Sequence, residues 1–228
     1  MKNSLLLLPI LFLSSCSTAS DMNNTPVEQT QTSIIEAVKN GKYDLVETEL
    51  KRGVDVNSKD QNNKSLLLIA TETNDLKMAR LLTDYKADVN QQDNRQDSPF
   101  LLAGASGHTE LVKLFLTKGA RFDIFNRYNG TALIPACERG HIEVVKLLSN
   151  TKDFPIDHVN RLGWTALMEA VVLGNGSGKY VEIVQILVDA GCNINIPDKD
   201  GVTALQHAKS RSYNGIVKVL EQASSKKF

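Results

Sequence analysis

Apolar positions recur along most of the chain with the spacing of one helix face, in blocks short enough for helices of two or three turns. The clearest block runs from Gly130 to Leu148. Leu133 and Ala136 fall three apart, Gly140 interrupts, and Ile142, Val145, Leu147 and Leu148 form a second stripe. The pattern predicts a short helix whose free N–H groups are capped by the Thr131 hydroxyl. A turn follows at Gly140, where a left-handed backbone costs little. The second helix then carries Glu143 at the positive end of its dipole. Ala136 is small enough to admit a close neighbour. Two helices of this size cannot bury both apolar faces against each other, so the block requires adjoining copies.

Those copies are present. Asn57, Asn90 and Asp123 are spaced by 33 residues, as are Asp60, Asp93 and Asn126, and Thr-Ala-Leu begins at Thr131, Thr165 and Thr203. Gly119-Ala120 and Ala87-Asp88-Val89-Asn90 fall where the chain would run out from one helix pair and back to the next. A 33-residue period with Thr-x-Leu, Gly-His and Ala-Asp-Val-Asn signatures resembles the ankyrin repeat. The resemblance implies an all-α solenoid of about six helix-turn-helix repeats with protruding hairpin loops, occupying 33–228. The repeats fall at about 27–59, 60–92, 93–125, 126–159, 160–197 and 198–228.

Several copies depart from the pattern. Repeat one lacks the Thr-x-Leu entry, as a terminal repeat with one unpaired face can. Repeat two has Asn74 at the inter-helix turn and Lys86 at the exit where glycine is expected, which predicts some strain there. Pro99 suits a first helical turn, where its missing N–H costs nothing. The exit of repeat four, 150–157 with Pro155, is irregular. Repeat five carries five extra residues within 174–180, read as an inter-helix loop before a second helix from Val181 to Val188. Repeat six ends in a polar tail, 222–227, suited to a solvent-facing cap.

The first residues follow another logic. Lys2 precedes an apolar run from Leu5 to Leu13, too short to span a bilayer as a mature helix. The run ends in Leu13-Ser14-Ser15-Cys16, which resembles the cleavage box of a bacterial lipoprotein. The resemblance implies removal of the signal peptide 1–15 and acylation of Cys16, attaching the chain to a membrane. Ser17, where inner-membrane lipoproteins often carry Asp, implies sorting to the outer membrane, facing the periplasm. Residues 16–32, rich in Ser, Thr, Asn and Gln, read as a flexible tether. Two alternatives stay open: an ordinary secretory signal with an incidental cysteine, and a cytosolic form starting at Met22.

Composition narrows the chemistry. In 228 residues, 42% are hydrophobic, enough for one elongated core, and 26 basic residues balance 26 acidic ones with no polybasic run. That balance argues against nucleic acid as a partner. Cys137 and Cys192 match no metal motif and read as small core residues; sequence alone leaves a disulfide open. His108 and His141, in the Gly-His positions, read as bonding backbone across repeats. No phosphate loop, Gly-x-Ser-x-Gly or paired carboxylate motif appears, so neither cofactor, metal nor enzymatic activity is expected. The nearest catalytic pairing, Ser106 with His108, lacks a visible orienting group.

The resemblance implies a concave face formed by hairpin tips and the exposed side of the first helices. Carried onto this chain, early repeats offer it small polar groups such as Gln61, Asn62 and Ser106. Repeats four and five offer Arg127, Tyr128, Glu138, Arg139, Arg161, Leu162, Trp164 and Leu173, with Phe125 just before the tip. Aromatic and arginine side chains dominate protein interfaces, so Phe125, Arg127, Tyr128, Arg139, Arg161, Leu162, Trp164 and Leu173 are the expected contacts. Local packing of Trp164 and solvation of the arginines are the competing readings. The protein, monomeric when free, is expected to bind a protein partner. Lipoproteins joined to ankyrin repeats resemble immunity proteins against lipase toxins delivered by type VI secretion. An envelope scaffold or stress-protection factor is the rival binding reading, and a hydrolase the rival from another class.

Overall fold

The computed structural model describes residues 26–225. Cys16, the expected signal peptide and most of the expected tether lie outside them. Repeat one pairs α1 (Pro26–Lys39) with α2 (Tyr43–Lys51), and repeat two α3 (Leu66–Glu72) with α4 (Leu76–Asp84). Then follow α5 (Pro99–Ala105) with α6 (Thr109–Thr117), and α7 (Leu133–Arg139) with α8 (Ile142–Ser149). Repeat five pairs α9 (Ala166–Val172) with α10 (Gly178–Asp189), and repeat six α11 (Ala204–Ser210) with α12 (Asn214–Ser225). Odd-numbered helices pack on one another in order and even-numbered helices do the same, giving two layers. The core lies between them, from Ile34 to Leu220, without a break. Among the described residues the one β pairing is an isolated antiparallel bridge, Lys59 to Ser65.

The recurring Asp or Asn builds the hairpin tips. Asp60 Oδ1 accepts from the N–H groups of Asn62 and Lys64. Asp93, Asn126, Asn160 and Asp198 each accept from the residues two and four ahead in the same way. A short polar side chain satisfies two turn donors that the hairpin leaves unpaired. Asn57 and Asn90 stitch repeats together, their side-chain oxygens accepting from the N–H of Asp88 and Arg121 at 2.9 and 2.8 Å. Asp123 departs from the series and pairs with Arg121 instead. Over the irregular exit of repeat four, Asp157 takes the stitching role, accepting from Asn193 N–H at 2.8 Å.

Entry into the first helix of repeats two to six follows the Ser/Thr rule with one exception. Ser65, Ser98, Thr165 and Thr203 cap their helices through the N–H three residues on. Thr131 does not cap α7, contrary to the sequence expectation: its Oγ1 is buried without a partner, although Ala132 already has helical backbone angles, φ −61° and ψ −26°. Pro135 is the cause. With the cap at Thr131, residue 135 would have to donate to the Thr131 carbonyl, but proline has no N–H and its ring crowds that oxygen. Gly140 behaves as expected, closing α7 in the left-handed region at φ 77°. Asn74 and Lys86 hold positive φ of 54° and 71°.

Two other boundaries differ from expectation. α1 begins at Pro26, so 26–32 is helical rather than tether. α10 begins at Gly178 rather than Val181, and its first turn uses three residues of the insertion. Tyr180 explains this, because its ring is buried and its hydroxyl donates to the Glu138 carbonyl at 2.8 Å, tying the insertion to repeat four. Tyr213 does the same from repeat six, its hydroxyl donating to Gly174 O at 3.2 Å. The insertion is a brace between its neighbours.

Candidate functional site

A groove of about 350 Å³ opens between repeats four and five, within the size range of specific binding sites. The two hairpins that edge it are joined by the Arg161 N–H donating to Tyr128 O at 2.9 Å. α7 and α9 form its floor through Ile134, Pro135 and Glu169, and Tyr128, Leu162 and Leu173 stand along its sides. These three are half exposed, at 53%, 49% and 48%. Of the large hydrophobic side chains exposed among the described residues, the others are Leu45 and Val159, so exposed apolar surface is concentrated at the groove.

The expected contacts divide. Arg127, Tyr128, Arg139, Leu162 and Leu173 line this groove together. Arg127 approaches Asp97 at 3.5 Å and lies 5.0 Å from the Tyr128 ring centre, while Arg139 donates to Ala105 O at 2.7 Å. Both guanidinium groups are therefore held toward repeat three. Phe125, Arg161 and Trp164 are not part of the lining. Phe125 stacks on His158 with ring centres 4.3 Å apart, Arg161 is exposed at the hairpin tip, and Trp164 is half-buried against the core.

Sequence reasoning missed Glu169. Its side chain is buried, 4% exposed, with Oε1 accepting from Asn160 Nδ2 at 2.8 Å and Oε2 lacking any partner. Burial, then the nearby Glu138 carboxylate, pushes its pKa up from 4.5 to about 7, against the opposing pull of the Asn160 hydrogen bond. A signal did exist. Nine residues after each hairpin Asp or Asn stand Ile69, Leu102, Pro135, Glu169 and His207, so a polar group replaces apolar ones at one site of the first helix. In repeat six the same offset joins His207 Nε2 to Asp198 Oδ2 at 2.6 Å.

Elsewhere the chemistry is structural. Cys137 and Cys192 are buried and not joined by a disulfide, and burial raises the Cys137 thiol well above its usual range. His141 bonds the Ala105 carbonyl across repeats, as expected of the Gly-His position. His108 has its pKa lowered, first by burial and then by His141. Among the described residues no cluster of His, Cys, Asp and Glu is arranged to hold a metal ion.

A family model described as ankyrin repeats (3 copies) matches residues 7–93, 34–126, 100–198 and 156–227. The crystal structure of an ankyrin repeat domain from Acinetobacter baumannii AYE is 43% identical, with a TM-score of 0.82 over 85% of this chain and 98% of that one. The structure of the ankyrin repeat protein EF0377 is 39% identical, with a TM-score of 0.80 over 83% of this chain and 96% of its own. A curated relative, the ankyrin repeat protein YahD of Escherichia coli (strain K12), is 37% identical over 79 residues, 35% of this chain and 39% of that protein's length.

Proposed function

The chain belongs to the ankyrin-repeat family, whose repeats are protein-binding scaffolds, and from that premise we propose that it captures a protein partner in the groove between repeats four and five. One observation carries this reading: Tyr128, Leu162 and Leu173, which folding leaves half exposed, are gathered there beside Arg127 and Arg139. Isolated exposed apolar residues are ordinary, but a cluster rimmed by charge is the pattern of an interface. The proposal extends to place and partner. A signal ending in Ser15-Cys16 and the following Ser17 support an acylated protein at the outer membrane, facing the periplasm. A lipid-degrading toxin entering that compartment is the partner best matched to an inhibitor tethered at the same membrane, because tethering raises its local concentration. We therefore read the protein as an immunity protein against a lipase toxin of type VI secretion.

The test uses the unacylated form, Ser17 to Phe228, immobilised to capture proteins and mixed with a lipase toxin of type VI secretion. A one-to-one complex and loss of lipase activity are expected. Tyr128→Ala should weaken the complex by about 2 kcal/mol, roughly thirtyfold, with the fold intact. A lipase fully active in excess protein ends the immunity reading, and capture indifferent to Tyr128→Ala and Leu162→Asp ends the groove reading. Anchoring is separate: Cys16→Ser should release the chain from membranes, and retention there would refute it.

A further inference from the structure

The groove is not uniformly apolar. Its floor holds the Glu169 carboxylate, buried, with one oxygen on Asn160 and the other without a partner. A buried polar atom left unpaired is costly, and the cost disappears when a ligand supplies the missing donor. The charges around it indicate which donor. Glu138, from α7, lines the same groove and interacts electrostatically with Glu169. No cation pairs with Glu138 among the described residues. The two arginines at the rim are engaged toward repeat three, on Asp97 and Ala105 O. The cations on the other elements packed on α9 are engaged: Arg211, at the end of α11, donates to Val172 O, and Lys179 of α10 lies 5.0 Å from the Tyr180 ring centre. α11 contributes His207, already on Asp198, and α10 contributes the Tyr180 hydroxyl, already on Glu138 O. α7 adds the buried Cys137 thiol.

We propose that this floor receives a basic side chain, lysine or arginine, presented by the protein partner, with its charged head between Glu169 and Glu138 and its carbon stem against Tyr128, Leu162 and Leu173. The inference rests on the binding face proposed above and adds the chemistry of what enters it. A long cationic side chain suits both parts of the groove, since its stem packs on apolar surface while its head satisfies carboxylates. A carboxylate-bearing residue would meet two like charges in a partly desolvated site and be repelled. The pairing requires Glu169 to be ionised, so partner binding strengthens as pH rises through the range in which that carboxyl loses its proton.

The experiment follows the Glu169 carboxyl carbon by NMR in the labelled protein, titrated with pH. The probes are N-acetyl-arginine methylamide, N-acetyl-lysine methylamide and the uncharged citrulline analogue, at concentrations well above the millimolar Kd expected of a lone side chain. The basic probes should lower the titration midpoint of Glu169 by about one pH unit, a tenfold preference for the ionised form. Citrulline should leave it in place. Glu169→Gln should weaken arginine-probe binding about tenfold, and Glu138→Gln should weaken it severalfold. A midpoint unmoved by the basic probes, an equal response to citrulline, or undiminished binding to Glu169→Gln would overturn the proposal. These readouts need no natural partner. If they fail while Tyr128→Ala still impairs capture, the basic-residue pocket is wrong and the binding face stands; if they succeed and capture is indifferent to Tyr128→Ala and Leu162→Asp, the floor binds a basic side chain but no partner presents one there, and the proposal falls with the binding face.

Discussion

Glu169→Gln should make the protein more stable above neutrality, and the structure sets the size of the effect. The native carboxyl titrates at about 7 because it is buried and faces Glu138, against an ordinary value of 4.5. A raised acid binds more protons in the folded state than in the unfolded state between those two values. Stability is therefore full at low pH and falls as pH rises from about 4.5 to about 7. At about 1.4 kcal/mol per pH unit, the whole span corresponds to on the order of 3 kcal/mol, most of it lost between pH 5 and pH 8. Glutamine has the shape of the protonated acid, can still accept from Asn160 Nδ2, and does not titrate. Wild type and variant should melt together at pH 5, with the variant about 5–10 °C higher at pH 8, at roughly 2–4 °C per kcal/mol in a chain of this length. Thermal unfolding by circular dichroism at the two pH values measures the difference directly. If the gap between the proteins does not widen with pH, the buried carboxyl is not charged at a cost, and the account of the groove floor is wrong.

Other expectations follow from the same contacts. Pro135→Ala restores the N–H that α7 lacks and lets Thr131 cap, so stability should rise by about 1 kcal/mol; an unchanged or lower melting temperature would contradict this. Gly176 sits at φ 70° with its α-carbon against the Tyr213 ring, so Gly176→Ala should cost about 1–2 kcal/mol and loosen the insertion to proteolysis. Trp164→Ala should lower the melting point by the equivalent of about 2 kcal/mol, because the ring is packed against the core. Tyr128→Ala should leave melting nearly unchanged while impairing capture. Equal melting of these last two variants would return Trp164 to the exposed face.

The repeat architecture was legible because its causes are local. Each hairpin needs a short acceptor two and four residues before its unpaired N–H groups, and the regular Asp or Asn spacing records that need. The cap at Thr131 was misread because its hydroxyl was weighed without Pro135, four residues on, where the carbonyl partner is lost. The start of α10 was hidden because Ser-Gly-Lys-Tyr reads as loop until Tyr180 is seen to be buried against repeat four. At the hairpin tip, Leu162 and Trp164 are near neighbours in sequence, yet one is half exposed and the other packs inward. Glu169 was the largest omission. A glutamate on a short helix reads as solvated, and its burial depends on α7 and α11, one repeat away on either side.

Three unfavourable departures from the repeat pattern coincide. Thr131 without a partner, Pro135 in the first turn of α7 and the raised carboxyl of Glu169 all lie in or beside one groove. Each is unfavourable for folding, and the substitutions that relieve two of them should stabilise the stack. A solenoid can carry such local costs because every repeat is also held by its neighbours. Here Arg139 donates to Ala105 O, Arg211 to Val172 O, Tyr180 to Glu138 O and Tyr213 to Gly174 O across the affected repeats. Selection for folding alone would restore a backbone N–H at position 135 and an apolar residue at position 169, as at Ile69 and Leu102. Their coincidence with the concentrated exposed apolar surface fits a site built for binding at the expense of stability. The same reasoning gives the two stabilising substitutions a shared consequence: Pro135→Ala and Glu169→Gln should both weaken capture of the partner while raising the melting temperature.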